Sequence, residues 1–76
     1  MEISAFIQNF ADQFDDTTID QFSPDTNFRD LEEWDSLTSL SVIAMVDEEY
    51  NVKLTGDDFR SSQSIQDIFN IVQSRA

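Results

Sequence analysis

The sequence contains no cysteine and no histidine. Disulfide bonds, cysteine nucleophiles, histidine-based triads and zinc sites of the usual ligand types are therefore excluded together. Glycine is nearly absent as well. An EF-hand calcium loop would need the only glycine, Gly56, at its sixth position, which places Lys53 among the ligands and Ser62 where a bidentate glutamate belongs. We therefore expect no metal site.

Basic residues are also few. Sixteen acidic residues stand against four basic ones, which gives a formal net charge of −12. Nucleic acids and anionic membrane surfaces are bound through clustered lysine and arginine, so neither is an expected partner. A positively charged protein surface is the natural counterpart of such a chain. The alternative is that the acidity only keeps the protein soluble.

Long apolar runs are missing too, and the first segment, MEISAFIQNFADQF, has no basic stretch. We therefore predict neither a secretory signal nor a membrane span, and we expect a cytoplasmic monomer. The 76 residues fit a single domain, residues 1–76, with one small core. A chain of this size has little room for a deep catalytic cleft, so we do not expect an enzyme.

Apolar residues recur at three- and four-residue spacing in the first segment, which predicts an amphipathic helix. The residues of this face are Ile3, Phe6, Ile7, Phe10, Ala11 and Phe14. Between Asp15 and Leu31 the pattern gives way to polar residues and the only proline, Pro24, which predicts a long loop. Four apolar residues are expected to anchor this loop to the core: Ile19, Phe22, Phe28 and Leu31.

A second helix is predicted from Ser36 to Tyr50, with Asp35 as its N-cap and Asn51 as a left-handed residue at its end. Two groups of apolar residues lie on roughly opposite sides of this helix. One group consists of Val42, Ile43, Val46 and Tyr50, and the other of Leu37, Leu40 and Ala44. The helix is either buried on both sides or presents one side to a partner. Met45 falls between the two groups.

Two further helices are predicted toward the end of the chain. Thr55 with Asp58, and Ser64 with Asp67, have the spacing of capping boxes. Apolar residues then follow at helical spacing: Ile65, Ile68, Phe69 and Val72. The predicted fold class is therefore all-α, a small bundle of three main helices and one short helix, with a long loop between helices one and two.

The stretch FRDLEEWDSLTSLSVIAMVDEEYNVKL resembles the middle of an acyl carrier protein. An aromatic residue and a leucine lead to Asp-Ser-Leu, and an apolar helix and an acidic patch follow. The three-residue motif alone would be a weak signal. The helix order, the long first loop and the charge extend the resemblance over essentially the whole chain.

The resemblance implies that Ser36 carries 4'-phosphopantetheine, which a separate phosphopantetheinyl transferase takes from coenzyme A, with Asp35 and Leu37 as its neighbours. A phosphodiester on Ser36 would lie at a helix N-terminus, where an anion is favoured. Asp35 opposes that charge, so we expect its value to lie in capping and in contacts with the modifying enzyme. The arm would supply the thiol that this sequence lacks.

The resemblance also assigns the two sides of the second helix. Acyl-loading and condensing enzymes with basic docking surfaces would bind beside Ser36. The expected contacts are Leu37, Leu40, Ala44, Asp47 and Glu48. The other side would remain with the core and wall a cavity for the carried acyl chain. Its residues are Val42, Ile43, Val46 and Tyr50.

The sequence departs from housekeeping fatty acid carriers at three positions. Thr38 and Ser41 stand where acids are common, and Trp34 stands where a small residue is frequent. We therefore expect a specialised acyl carrier, serving fatty acid, polyketide-like or related biosynthesis. Aminoacyl, aryl and peptidyl carriers share the fold and the serine and stay open as alternatives. A non-carrier acidic helical interaction module is the remaining one.

Overall fold

Helices account for most of the structure, a computed structural model that describes residues 2–76. Met1, which the single-domain prediction includes, lies outside the described residues. The helices are α1 (Ile3–Ala11), α2 (Ser36–Tyr50), α3 (Gly56–Arg60) and α4 (Ile65–Arg75). Two short 3₁₀ turns, Ile19–Gln21 and Phe28–Asp30, lie in the loop before α2. Residues 2–76 contain no strand, only an isolated bridge between Asn27 and Ser64. The all-α prediction is confirmed.

The helix ends follow the capping residues that the sequence predicts. Asp35, Thr55 and Ser64 each accept a hydrogen bond from the backbone N–H three residues later, and both predicted capping boxes are complete. Helix α2 ends at Asn51, whose φ of 57° places it in the left-handed region. Local side-chain chemistry thus fixes where α2, α3 and α4 begin.

The core is built mainly from aromatic rings. All seven phenylalanines of the sequence are buried. Phe10, on α1, is central, because five other rings have their centroids 5.8 to 6.5 Å from its own. These rings belong to Phe6, Phe14, Phe22, Phe28 and Trp34. Burying one phenylalanine contributes about 2 kcal/mol, so this cluster is a large part of what stabilises so small a domain.

The long loop between α1 and α2 is held by three of the four predicted anchors. Phe22 and Phe28 are buried, and Leu31 is partly buried against the core. The prediction for Ile19 is wrong, because its side chain is 49% exposed. Ile19 begins the 3₁₀ turn that Phe22 ends, and Phe22 is the residue whose ring enters the core, 5.0 Å from the ring of Phe14.

Polar contacts attach the same loop to the second half of the chain. The Arg29 guanidinium donates hydrogen bonds to the carbonyl oxygens of Phe59 and Ser62, at the end of α3. The carbonyl oxygens of Pro24 and Thr26 accept from the first backbone N–H groups of α4. Because helix ends leave such groups unpaired, the loop supplies hydrogen-bond partners to the end of α3 and the start of α4.

Helix α3 is joined to the end of α4 by a paired carboxylate and guanidinium. Both terminal nitrogens of Arg75 donate to the Asp58 carboxylate at 2.8 Å, and the Thr55 N–H donates to it as well. The Asp58 side chain is only 11% exposed. The Arg75 hydrogen bond lowers the pKa of Asp58 from its ordinary 3.8 to about 2, against the opposing effect of burial.

We predict that Asp58→Asn lowers the free energy of unfolding by about 1 to 2 kcal/mol at neutral pH, since it removes the charge that Arg75 contacts. The pKa of Asp58 is lower in the folded chain, so this stabilisation is present above about pH 4 and disappears as the pH falls toward 2. Urea unfolding at neutral and acidic pH measures both effects. Asp57→Asn, at the exposed neighbouring carboxylate, is the control and should change stability little. Equal effects of the two substitutions would contradict the assignment.

Candidate functional site

The first turn of α2 is organised by the N-cap Asp35. Its extended backbone, with φ −151° and ψ −175°, places the carboxylate over the start of the helix. There Oδ1 accepts hydrogen bonds from the Thr38 N–H at 2.8 Å and from the Thr38 hydroxyl at 2.9 Å. The bond from the backbone N–H, followed by that from the hydroxyl, lowers the pKa of Asp35. Asp35 is therefore a charged cap at neutral pH.

Ser36, the first residue of α2, is exposed. Within the described chain its hydroxyl makes no hydrogen bond, while its carbonyl oxygen accepts one from the Ser39 hydroxyl at 2.9 Å. The sequence offers no histidine, and the carboxylate of the adjacent Asp35 is engaged with Thr38. Ser36 therefore has an accessible hydroxyl but no general base of its own, which suits a group that a separate enzyme modifies.

The segment before Ser36 is fixed to the start of the long loop by Glu33. Its carboxylate accepts hydrogen bonds from the N–H groups of Asp15 (3.1 Å) and Asp16 (2.9 Å) and from the Thr17 hydroxyl. The Thr17 hydroxyl is the main reason that the pKa of Glu33 lies below its ordinary value. The Glu33 carbonyl oxygen lies 2.8 Å from the Thr38 hydroxyl, whose one proton it shares with the Asp35 carboxylate. Glu33 thus connects the start of the long loop to the first turn of α2.

A groove of about 290 Å³ runs beside Ser36, between the start of α2 and α3. Aromatic side chains and two arginines form much of its lining. The lining residues are Phe28, Arg29, Trp34, Asp35, Ser36, Ser39, Gly56, Phe59 and Arg60. The groove therefore offers a molecule attached at Ser36 both apolar wall and positive charge.

Trp34 belongs to the aromatic cluster as well as to this groove. Its ring is parallel to that of Phe10, within 4°, at a centroid distance of 6.1 Å, and it lies 4.8 Å from Phe28 and 5.5 Å from Phe59. The side chain is partly buried. Its bulk joins the loop, α1 and α3.

One side of α2 is exposed next to Ser36. Leu37 is 75% exposed, Leu40 is 59% exposed, and Ala44 is exposed too. Of the two interpretations of the two-sided helix, burial on both sides is therefore wrong. An apolar stripe at helical spacing that faces solvent is a feature of interaction surfaces.

The acidic residues at the far end of this stripe differ from each other. Glu48 is exposed, whereas Asp47 is partly buried and accepts an ion pair from Lys53 at 3.0 Å. Asp35, at the near end, is engaged with Thr38. A cationic partner would therefore meet Glu48 directly but would compete with Lys53 for Asp47.

In a comparison with protein families, residues 5–72 match the family described as the phosphopantetheine attachment site, PP-binding. The chain belongs to this family. Its members are non-catalytic carrier domains at which 4'-phosphopantetheine is covalently attached. A comparison with curated proteins found no match.

The residues of the carrier domain fit such a group. A phosphodiester needs a free hydroxyl for attachment, and it gains from the positive end of a helix. Ser36 combines an exposed hydroxyl with the first position of a 15-residue helix, and the groove beside it gives an attached chain a surface to lie on.

The core side of α2 contains the residues predicted to wall an acyl cavity. Val42 and Val46 are fully buried, and Ile43 and Tyr50 are partly buried against the core. None of these four residues lines the groove beside Ser36. Met45, whose direction the sequence left open, is buried. The acyl cavity itself stays a prediction.

Among residues 2–76 no helix is long and apolar enough to cross a bilayer. In the same range no three acidic side chains come together as a possible metal site.

Glu33, Arg29 and Arg60 belong to no motif that the sequence shows, so the sequence did not predict them as parts of the site. Glu33 and Arg29 act on residues 16 to 33 positions away, and such contacts leave no local pattern. For the two arginines the sequence did contain one signal. The chain has only four basic residues, so each of them is a candidate for a specific role.

We predict that Glu33→Ala makes the backbone amides of Asp15 and Asp16 exchange with solvent faster, because their acceptor is lost. Amide hydrogen exchange measured by NMR resolves the two positions. Glu32→Ala, a change at the exposed neighbouring acid, is the matched control and should leave both rates unchanged. Unchanged exchange in Glu33→Ala would show that Glu33 does not hold the loop.

Proposed function

We propose that Ser36 is the attachment point of 4'-phosphopantetheine and that the protein carries acyl groups as thioesters for fatty acid, polyketide-like or related biosynthesis. The observation that carries this proposal is the exposed, unbonded Ser36 hydroxyl at the first position of α2 in a chain of the carrier family. The protein would act as a monomer in the cytoplasm. The specialised pathway expected from the sequence remains a prediction.

The chemical groups that the chain lacks would have to come from a separate enzyme and from the attached arm. It has no thiol and no histidine, so it can neither form a thioester unaided nor activate Ser36. A phosphopantetheinyl transferase would supply the base and the arm, and the arm would supply the thiol. The carrier domain contributes a fixed, accessible hydroxyl, a helix N-terminus and the surfaces that partners recognise.

We propose that the exposed side of α2 is the docking surface for the transferase and for acyl-loading and condensing enzymes. Leu37 and Leu40 would enter an apolar depression on the partner, while Asp35, Asp47 and Glu48 would face its basic residues. Charges at the rim of an interface mainly set association rate and partner choice, and buried apolar contacts contribute more to affinity.

Attachment can be tested by the intact mass of the protein after incubation with coenzyme A and a broad-specificity phosphopantetheinyl transferase. We expect the mass of one phosphopantetheine to be added to the native chain and not to Ser36→Ala. Ser39→Ala, one helical turn away on the same groove, should be modified like the native chain. Modification of Ser36→Ala, or none of the folded native chain by any transferase, would contradict the proposal.

Docking can be tested with Leu40→Asp, which should lower kcat/KM for phosphopantetheine transfer at least about tenfold, because it places a charge in an apolar contact. Ile19→Asp is the matched control, since Ile19 is a comparably exposed apolar residue outside α2. Circular dichroism should find both variants folded. Equal transfer to the two variants would argue against docking through α2.

A further inference from the structure

The four basic residues of the chain differ in how firmly they are engaged. Arg75 makes a bidentate pair with the largely buried carboxylate of Asp58, and Arg29 donates to two backbone carbonyl groups. Lys53 pairs with Asp47 at the far end of α2. Of these four residues, Arg60 is the one that both lines the groove beside Ser36 and pairs with an exposed carboxylate.

The partner of Arg60 is Asp57, three residues earlier on α3. Their side chains are 74% and 85% exposed, so the pair is highly hydrated and easily exchanged for a better one. The guanidinium lies over Gly56, with its Nη1 about 3.5 Å from where a Cβ at that residue would be. Arg60 is thus held at the groove wall by a weak contact.

An anion attached to Ser36 would meet negative charge on one side. The charged carboxylate of Asp35 lines the same groove, and the whole chain has a formal charge of −12. The positive end of α2 offsets part of this repulsion. A mobile guanidinium in the groove can offset more, because its planar pair of N–H donors matches two phosphate oxygens.

We propose that Arg60, in the groove beside Ser36, leaves Asp57 to pair with the phosphodiester of an arm attached at Ser36. The inference rests on the proposed attachment at Ser36. Trp34 and Phe59 form the apolar part of the same groove, so an arm whose phosphodiester pairs with Arg60 would pass beside them.

The consequence is a surface that differs between the unmodified and modified forms. In the unmodified chain Arg60 neutralises Asp57, whereas in the modified chain Asp57 is left as a free charge on α3. A partner with a basic residue facing α3 would then favour the form that bears the arm.

The test compares unmodified and modified protein, each verified by intact mass, in the native chain and in Arg60→Gln. We expect the Arg60 side-chain N–H resonance to shift on modification. We also expect the ³¹P resonance of the native chain to differ from that of Arg60→Gln. Arg60→Lys should retain part of this difference, since it keeps the charge but not the paired donors. Trp34, the only tryptophan, should become less accessible to acrylamide quenching in modified native protein.

Asp57→Asn serves as the matched control, because it removes the competing partner without touching the groove. It should leave the ³¹P resonance and the quenching of modified protein like those of the native chain. A mass increase with no change in the Arg60 or ³¹P signals would overturn this inference and leave the proposed function intact. Failure of the native chain to gain mass would overturn both.

Discussion

Packing of aromatic rings around Phe10 is the interaction on which the other features of this small domain depend. The rings come from α1, from the long loop and from α3. Their contacts therefore connect three segments that are far apart in the sequence. Trp34 belongs to this cluster and is two residues from Ser36. The position of the site is therefore set by the core rather than by the flanking loop alone.

Polar contacts also hold the long loop in place. Glu33 fixes the loop at its first residues, and Arg29 fixes it near its end. Each binds backbone groups that no helix satisfies, and such groups are costly to leave unpaired when water is excluded. These hydrogen bonds give the loop, with its two short 3₁₀ turns, one defined conformation between α1 and α2. The loop is too polar for apolar burial alone to fix it.

Local patterns were enough to predict the helices and their caps, because periodicity and capping boxes act over three or four residues. They also predicted Phe22 and Phe28 as anchors. They failed for Ile19, because a local pattern does not tell which apolar residue of a short turn enters the core, and here it is Phe22. For α2 the local pattern found both apolar sides, and only the resemblance indicated which one solvent would reach, since that depends on where the other helices pack. The links made by Glu33 and Arg29 were beyond prediction for the same reason.

The charge around Ser36 would allow so acidic a chain to hold an anionic arm at that residue. The positive end of α2 and Arg60 across the groove both direct positive potential at Ser36. The carboxylate of Asp35, although it is hydrogen-bonded to Thr38, lines the same groove and opposes part of this potential. The remaining acidity then faces outward, where it can select basic partners without opposing the group that those partners must reach.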